Sequence, residues 1–218
     1  MKARISKGKA TDYVRLAKPY MSKHRTASHE FAPKRSALIV IDMQGLFLDR
    51  SSHSYLPDAE NIVGNVRELI DAYRKRSLPV IFTRHASRPS ESAGAMGRWW
   101  GDVVRDGDQA GEIDPRFAPK KGEKVLRKTR YSAFVGTDLL QHLCAESVSS
   151  IVITGVMTHL CCESTARDAF MRDFDVFLVV DGTASKTEDL HVSSIKTLTD
   201  GFAMPVTTSE VVRWLKTR

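Results

Sequence analysis

Cys161 stands where a buried strand has to turn into a helix, because the β-branched run Val148 to Thr154 (VSSIVIT) precedes it and an amphipathic stretch follows. At such a turn, unpaired backbone N–H groups and the positive end of the helix dipole favour thiolate over thiol, and the same N–H groups can hold an oxyanion. Three other polar neighbourhoods fall at the ends of extended runs. Asp42 follows Ala37 to Ile41 (ALIVI), Thr83-Arg84-His85 close the run from Leu78 (LPVIFT), and Lys128 follows Lys124 to Leu126. A carboxylate, an ammonium and a thiol gathered at one rim have complementary tasks. The carboxylate takes the thiol proton and later gives it to a leaving amine, the ammonium stabilises the thiolate and orients the carboxylate, and the thiolate attacks a carbonyl carbon.

The elements that must position these groups alternate along the chain. Ala37 to Ile41 is a continuous apolar run suited to a strand buried on both faces. Ala59 to Lys75 places Ile62, Val63, Val66, Leu69, Ile70 and Tyr73 at helical spacing after a Pro57-Asp58 start. Strands are expected at Leu78 to Thr83, Ile151 to Gly155 and Val176 to Val180, with a short extended piece near Val206. Helices are expected over Thr137 to Cys144, Cys161 to Arg172, Glu188 to Leu198 and Glu210 to Lys216. This order predicts a single doubly wound α/β domain, a mostly parallel sheet with helices on both faces. Ligands in such folds sit beyond the carboxyl ends of the strands, where all four polar neighbourhoods fall.

Composition narrows the surroundings. A chain of 218 residues without a Gly/Ser-rich or Pro-rich linker suits one domain, expected at 31–218, preceded by a basic arm at 1–30. The formal charge of +7 is concentrated at the start: residues 1–35 hold ten Lys and Arg against Asp12 and Glu30, and the remainder holds 23 against 24 acidic residues. With no interleaved aromatics, that arm is expected to be solvated or packed rather than to bind nucleic acid. Cys144, Cys161 and Cys162 form no CxxC pair and are odd in number, which points to a reducing compartment. No stretch approaches eighteen apolar residues and no apolar leader opens the chain, so a cytoplasmic protein with no membrane association is expected.

Three separated motifs carry a family resemblance. Phe31-Ala32-Pro33 through Ile41-Asp42-Met43-Gln44, Lys128-Thr129-Arg130-Tyr131-Ser132-Ala133-Phe134, and Gly155-Val156-Met157-Thr158 through Cys161 resemble, in that order, segments of the isochorismatase-like hydrolases. That superfamily includes isochorismatase, nicotinamidase, N-carbamoylsarcosine amidase and ureidoacrylate amidohydrolase. The resemblance runs from about Glu30 to the C-terminus and leaves the basic arm outside it. It implies Asp42 as the proton-transfer carboxylate, Lys128 as the ammonium and Cys161 as the nucleophile. It also implies a cis Val156-Met157 peptide, an oxyanion hole from the backbone N–H groups of Met157 and Cys161, and a homo-oligomer. Cys162, about 100° further round the helix, is expected to pack beneath it.

Two chemistries stay open within the resemblance, beside a catalytically silent member that binds an anionic partner through residues 1–35. Trp99-Trp100-Gly101-Asp102, Arg130-Tyr131-Ser132-Ala133-Phe134 and Ala169 to Phe174 look like isochorismatases, which cleave a vinyl ether with an acid and water. Cys161-Cys162-Glu163-Ser164-Thr165 with Arg130-Tyr131-Ser132 is similar to ureide-cleaving amidases, and the retained cysteine favours C–N hydrolysis of a small molecule. Phe47, Trp99, Trp100, Tyr131 and Phe134 are expected as apolar pocket walls, with Arg84, Arg88 and His159 holding a substrate carboxylate. Nicotinamidases bind a metal after the second strand. Here Thr83 to Pro89 offers no carboxylate beside His85, so no catalytic metal and no other cofactor are expected.

Overall fold

A computed structural model describes residues 10–21 and 31–216. Six strands, β1 (Ser36–Ile41), β2 (Val80–His85), β3 (Lys124–Lys128), β4 (Ser150–Val156), β5 (Asp175–Ala184) and β6 (Met204–Val206), form one sheet in the order β3-β2-β1-β4-β5-β6. Every pairing is parallel. β1 and β4 are fully buried along their lengths, as continuous apolar runs require when helices cover both faces of a sheet.

The helices are α1 (Ala10–Ala17), the single turn α2 (Gly45–Leu48), α3 (Ala59–Lys75), α4 (Gly94–Trp100), α5 (Leu139–Ala145), α6 (Glu163–Phe170), α7 (Glu188–Gly201) and α8 (Thr208–Lys216). The chain winds outward from β1 to β3, returns to lay β4 beside β1, and winds outward again. Right-handed crossovers running in opposite directions put helices on opposite faces. Accordingly α3 packs with α8, whereas α7 packs with α1 and α6.

Helix α3 has the boundaries that its periodicity predicts, and its six buried residues include Ile62, Val66, Leu69, Ile70 and Tyr73. Elsewhere the structure differs from expectation. The helix expected to begin at Cys161 is preceded by a π-helical turn, Thr158–Cys162, and α6 proper starts at Glu163. Residues 10–20 hold helical structure, and α1 buries Tyr13 and Ala17 against the domain. The rest of the expected arm, residues 1–9 and 22–30, lies outside the described residues. Cys144, at the end of α5, is exposed. No helix among the described residues is long and apolar enough to cross a membrane.

Candidate active site

The sheet order reverses between β1 and β4, which opens a crevice beyond their carboxyl ends. Asp42 is the first residue past β1 and Cys161 lies in the turn past β4, so both border that crevice. Their strands are locked together with Ile41 opposite Gly155. Gly155 adopts φ +111°, and a Cβ there would sit 2.1 Å from the Ile41 carbonyl oxygen, so only glycine lets the two strands approach this closely. Lys128 comes from β3, two strands away from β1. Neighbouring strands are about 4.8 Å apart, so a long side chain is needed to cross β2, and the lysine stem does so.

The three side chains meet. Lys128 Nζ lies 2.7 Å from Asp42 Oδ2 and 3.2 Å from Cys161 Sγ, and it donates a hydrogen bond of 3.1 Å to the Arg130 carbonyl. Two of the ammonium hydrogens go to Sγ and the Arg130 carbonyl, and the contact with Asp42 is an ion pair. Asp42 and Lys128 are wholly buried at their side chains, and Cys161 is 7% exposed. Asp42 itself sits at φ 49°, a left-handed conformation that Asp tolerates better than most residues. Thr83 fixes it from both ends: its hydroxyl accepts from the Asp42 N–H at 3.1 Å and donates to Oδ1 at 2.6 Å. Oδ2 faces the ammonium as an ion pair and accepts no hydrogen bond of good geometry, which leaves it a lone pair for a proton.

Protonation follows from burial and from this charge arrangement. Burial pushes the Cys161 thiol up to about 12; Lys128 opposes that rise and the Asp42 carboxylate adds to it. The sulfur therefore carries its proton at neutral pH, contrary to the thiolate expected from the helix end alone. Desolvation is the stronger force here. Burial alone would strip the charge from Lys128, but Asp42 and Cys161 more than restore it and hold the ammonium above its ordinary range. Cys162 is buried beneath the turn, and desolvation raises its thiol as well. The peptide between Val156 and Met157 is cis.

A cavity of about 290 Å³ opens in front of Cys161. Phe47, Trp100 and Tyr131 line it as expected, with Asp42 and Met157. Trp100 Nε1 donates a 2.8 Å hydrogen bond to the Tyr131 hydroxyl, which orients both rings. The remaining expected pocket residues lie elsewhere. Arg84 pairs with Asp106 at 2.6 Å and is not part of the lining, because strand alternation points it away from the face that carries Thr83 and His85. Arg88 is exposed and lies 3.8 Å from the same Asp106. Trp99 is 80% exposed, since one helical step turns it away from the direction of Trp100. His159 hydrogen-bonds Ser185 Oγ through Nδ1 at 2.8 Å and does not line the cavity. Phe134 is core, tilted against Phe174.

The lining also holds residues that the sequence reading left out, among them Leu46, Tyr55, Leu56, Met96, Leu160 and Lys186. His85 shares a strand face with Thr83 and lines the cavity. The Gln44 side chain clamps the His85 backbone at 2.7 and 3.1 Å, while the imidazole Nδ1 has no hydrogen-bond partner. Burial lowers this imidazole to about 4, with Lys128 reinforcing the shift. His53 faces Asp102 at 3.6 Å across the cavity edge. Among the described residues, no three His, Cys, Asp or Glu side chains group closely enough to hold a metal ion.

The isochorismatase domain matches residues 36–210. The chain is 36% identical over 203 residues to nicotinamidase 3 of Arabidopsis thaliana, covering 92% of this chain and 98% of that protein. It is 33% identical over 183 residues to the phenazine biosynthesis protein PhzD of Pseudomonas fluorescens, covering 83% and 86%. Among solved structures, a cysteine hydrolase from Pseudomonas syringae pv. phaseolicola superposes with a TM-score of 0.82 at 29% identity, over 85% of this chain and 94% of the other. A domain match across most of the chain, relatives above 30% identity and a shared fold lead to one conclusion: the chain belongs to the isochorismatase family of hydrolases.

Proposed function

We propose that the protein hydrolyses a C–N bond of a small amide or ureide, with Cys161 as nucleophile, Asp42 as proton carrier and Lys128 as the fixed cation between them. The single observation carrying this reading is the ammonium of Lys128, 2.7 Å from a carboxylate oxygen and 3.2 Å from a sulfur. Because the sulfur holds its proton at rest, attack requires a base, and Asp42 Oδ2 has the free lone pair. The proton passes from Sγ to Asp42 as Sγ bonds to the carbonyl carbon. The carbonyl oxygen becomes an oxyanion between the N–H groups of Met157 and Cys161. Asp42 then protonates the leaving nitrogen, the C–N bond breaks, and a thioester remains. Water, losing a proton to Asp42, attacks the thioester and releases the acid and the thiol. Similarity to a protein named nicotinamidase adds support for an amide substrate.

Vinyl ether cleavage needs Asp42 as an acid and no nucleophile. Wild type and Cys161→Ala, incubated with small amides, ureides and isochorismate while ammonia and pyruvate are measured together, separate the two chemistries. Ammonia release that vanishes in the variant is the expected result. Pyruvate release that survives the substitution, without ammonia, overturns the amide reading.

A further inference from the structure

We infer that the part of the cavity lined by Lys186 is an anion subsite, so that the substrate is a small one-ring amide bearing a carboxylate or another compact anionic group. This deepens the amide reading above and rests on it. Cavity size sets the first limit. A cavity of about 150 Å³ accepts benzene, so about 290 Å³ holds one ring with its substituents and no polymer. The walls set the second: Phe47, Leu56, Leu160, Trp100 and Tyr131 present apolar and aromatic surface to a planar body.

Charge sets the third. Of the groups lining the cavity, Asp42 is matched by Lys128 and Asp102 faces His53. Lys186 is the sole Lys or Arg in the lining, and it has no carboxylate partner among the described residues. Its Nζ lies 5.0 Å from the centre of the Trp100 ring, and the hydrogen bond to Tyr131 holds that ring in place. An indole face attracts an ammonium without neutralising it, so the cation is held beside Trp100 with its charge unspent. Lys186 follows the end of β5 by two residues, and its neighbour Ser185 is buried and bonded to His159. The backbone at this point is therefore anchored. The role that Arg84, Arg88 and His159 were expected to fill passes to this lysine.

The test compares benzamide with 4-carbamoylbenzoate, which differ by one carboxylate, in wild type, Lys186→Met and Lys186→Arg. In wild type, kcat/KM should favour the carboxylated amide by roughly tenfold, an amount intermediate between exposed and desolvated charge pairs. Lys186→Met should bring the ratio near one, Lys186→Arg should keep most of it, and raising salt from about 50 to about 500 mM should shrink it. Equal use of both amides by wild type, with no response to Lys186→Met, overturns the subsite while leaving amide hydrolysis standing. Calorimetry of benzoate and benzyl alcohol with Cys161→Ala gives a readout without turnover. Benzoate binding that requires Lys186, with no ammonia released from any amide, supports the subsite and removes the amide reading.

Discussion

Thr158 Oγ1 and His191 Nδ1 lie 2.8 Å apart, both fully buried, and through this bond α7 holds the first residue of the turn that carries Cys161. Ser194, one turn further along α7, donates its hydroxyl to Glu163 at 2.6 Å and lies 3.2 Å from the Thr158 carbonyl. On the other side of His191, Tyr13 of α1 packs edge-on with ring centroids 5.0 Å apart. The turn that carries Cys161 is thus supported from behind by a helix that lies outside the matched domain.

Acid should weaken this support. Burial lowers His191 to about 4, with the Val180 backbone opposing, whereas an imidazole in an unfolded chain titrates near about 6.5. Between those values the unfolded chain binds a proton that the native state refuses, so stability is whole above about pH 6.5 and falls as pH drops toward 4. The full contribution is about 3 kcal/mol. Differential scanning calorimetry should show Tm lower at pH 5 than at pH 7 by about 5 °C, and less so in His191→Gln. An equal drop in both proteins contradicts this assignment.

Lys128→Met leaves the Asp42 carboxylate buried without its cation. Removing one partner of a buried pair costs about 3 to 5 kcal/mol, so urea unfolding should shift to markedly lower concentration. Ammonia release should fall at least about a thousandfold if cation, base and nucleophile act as one unit. Full turnover in a stably folded variant would refute the role given to the ammonium.

Gly155→Ala places a methyl carbon 2.1 Å from the Ile41 carbonyl oxygen at a left-handed position. The β1–β4 seam must open to admit it, at a cost above about 3 kcal/mol. The variant should accumulate poorly or melt far earlier than wild type, and a Tm within a few degrees of wild type would show that the seam is slack.

Trp100→Ala removes an aromatic wall and the platform under Lys186, so KM should rise roughly tenfold. Trp99→Ala, at an exposed position, should stay within about twofold of wild type. Arg84→Ala should leave KM unchanged and lower Tm, because Arg84 serves Asp106 and not the cavity. Reversal of the Trp99 and Trp100 effects would mean that the rim is oriented differently.

The parts of the fold written in continuous or strictly periodic apolar pattern were legible: β1 in ALIVI, and α3 from Ala59 to Lys75. Asp42, Lys128 and Cys161 were legible as positions because each lies at or just past a strand end, although their meeting depends on a lysine spanning β2, which spacing does not encode. Directions were harder. Arg84 and Trp99 carry suitable chemistry and point elsewhere, and the alternation that separates Arg84 from His85 outweighs residue type. Lys186 was missed because a single lysine after a strand looks like any solvated surface charge. The π-helical turn at Thr158–Cys162 was missed because its five residues suit an ordinary helix start.

The buried cluster of Asp42, Lys128 and Cys161 and the walls around it come from different parts of the chain. Asp42, Lys128 and Cys161 are fixed by strand ends in the middle of the sheet, while residues 46–56 and 96–104, which shape much of the cavity, belong to the connections that follow β1 and β2. A change in those connections remodels what fits without moving the atoms that react. Such a molecule behaves like a fixed tool in an interchangeable holder.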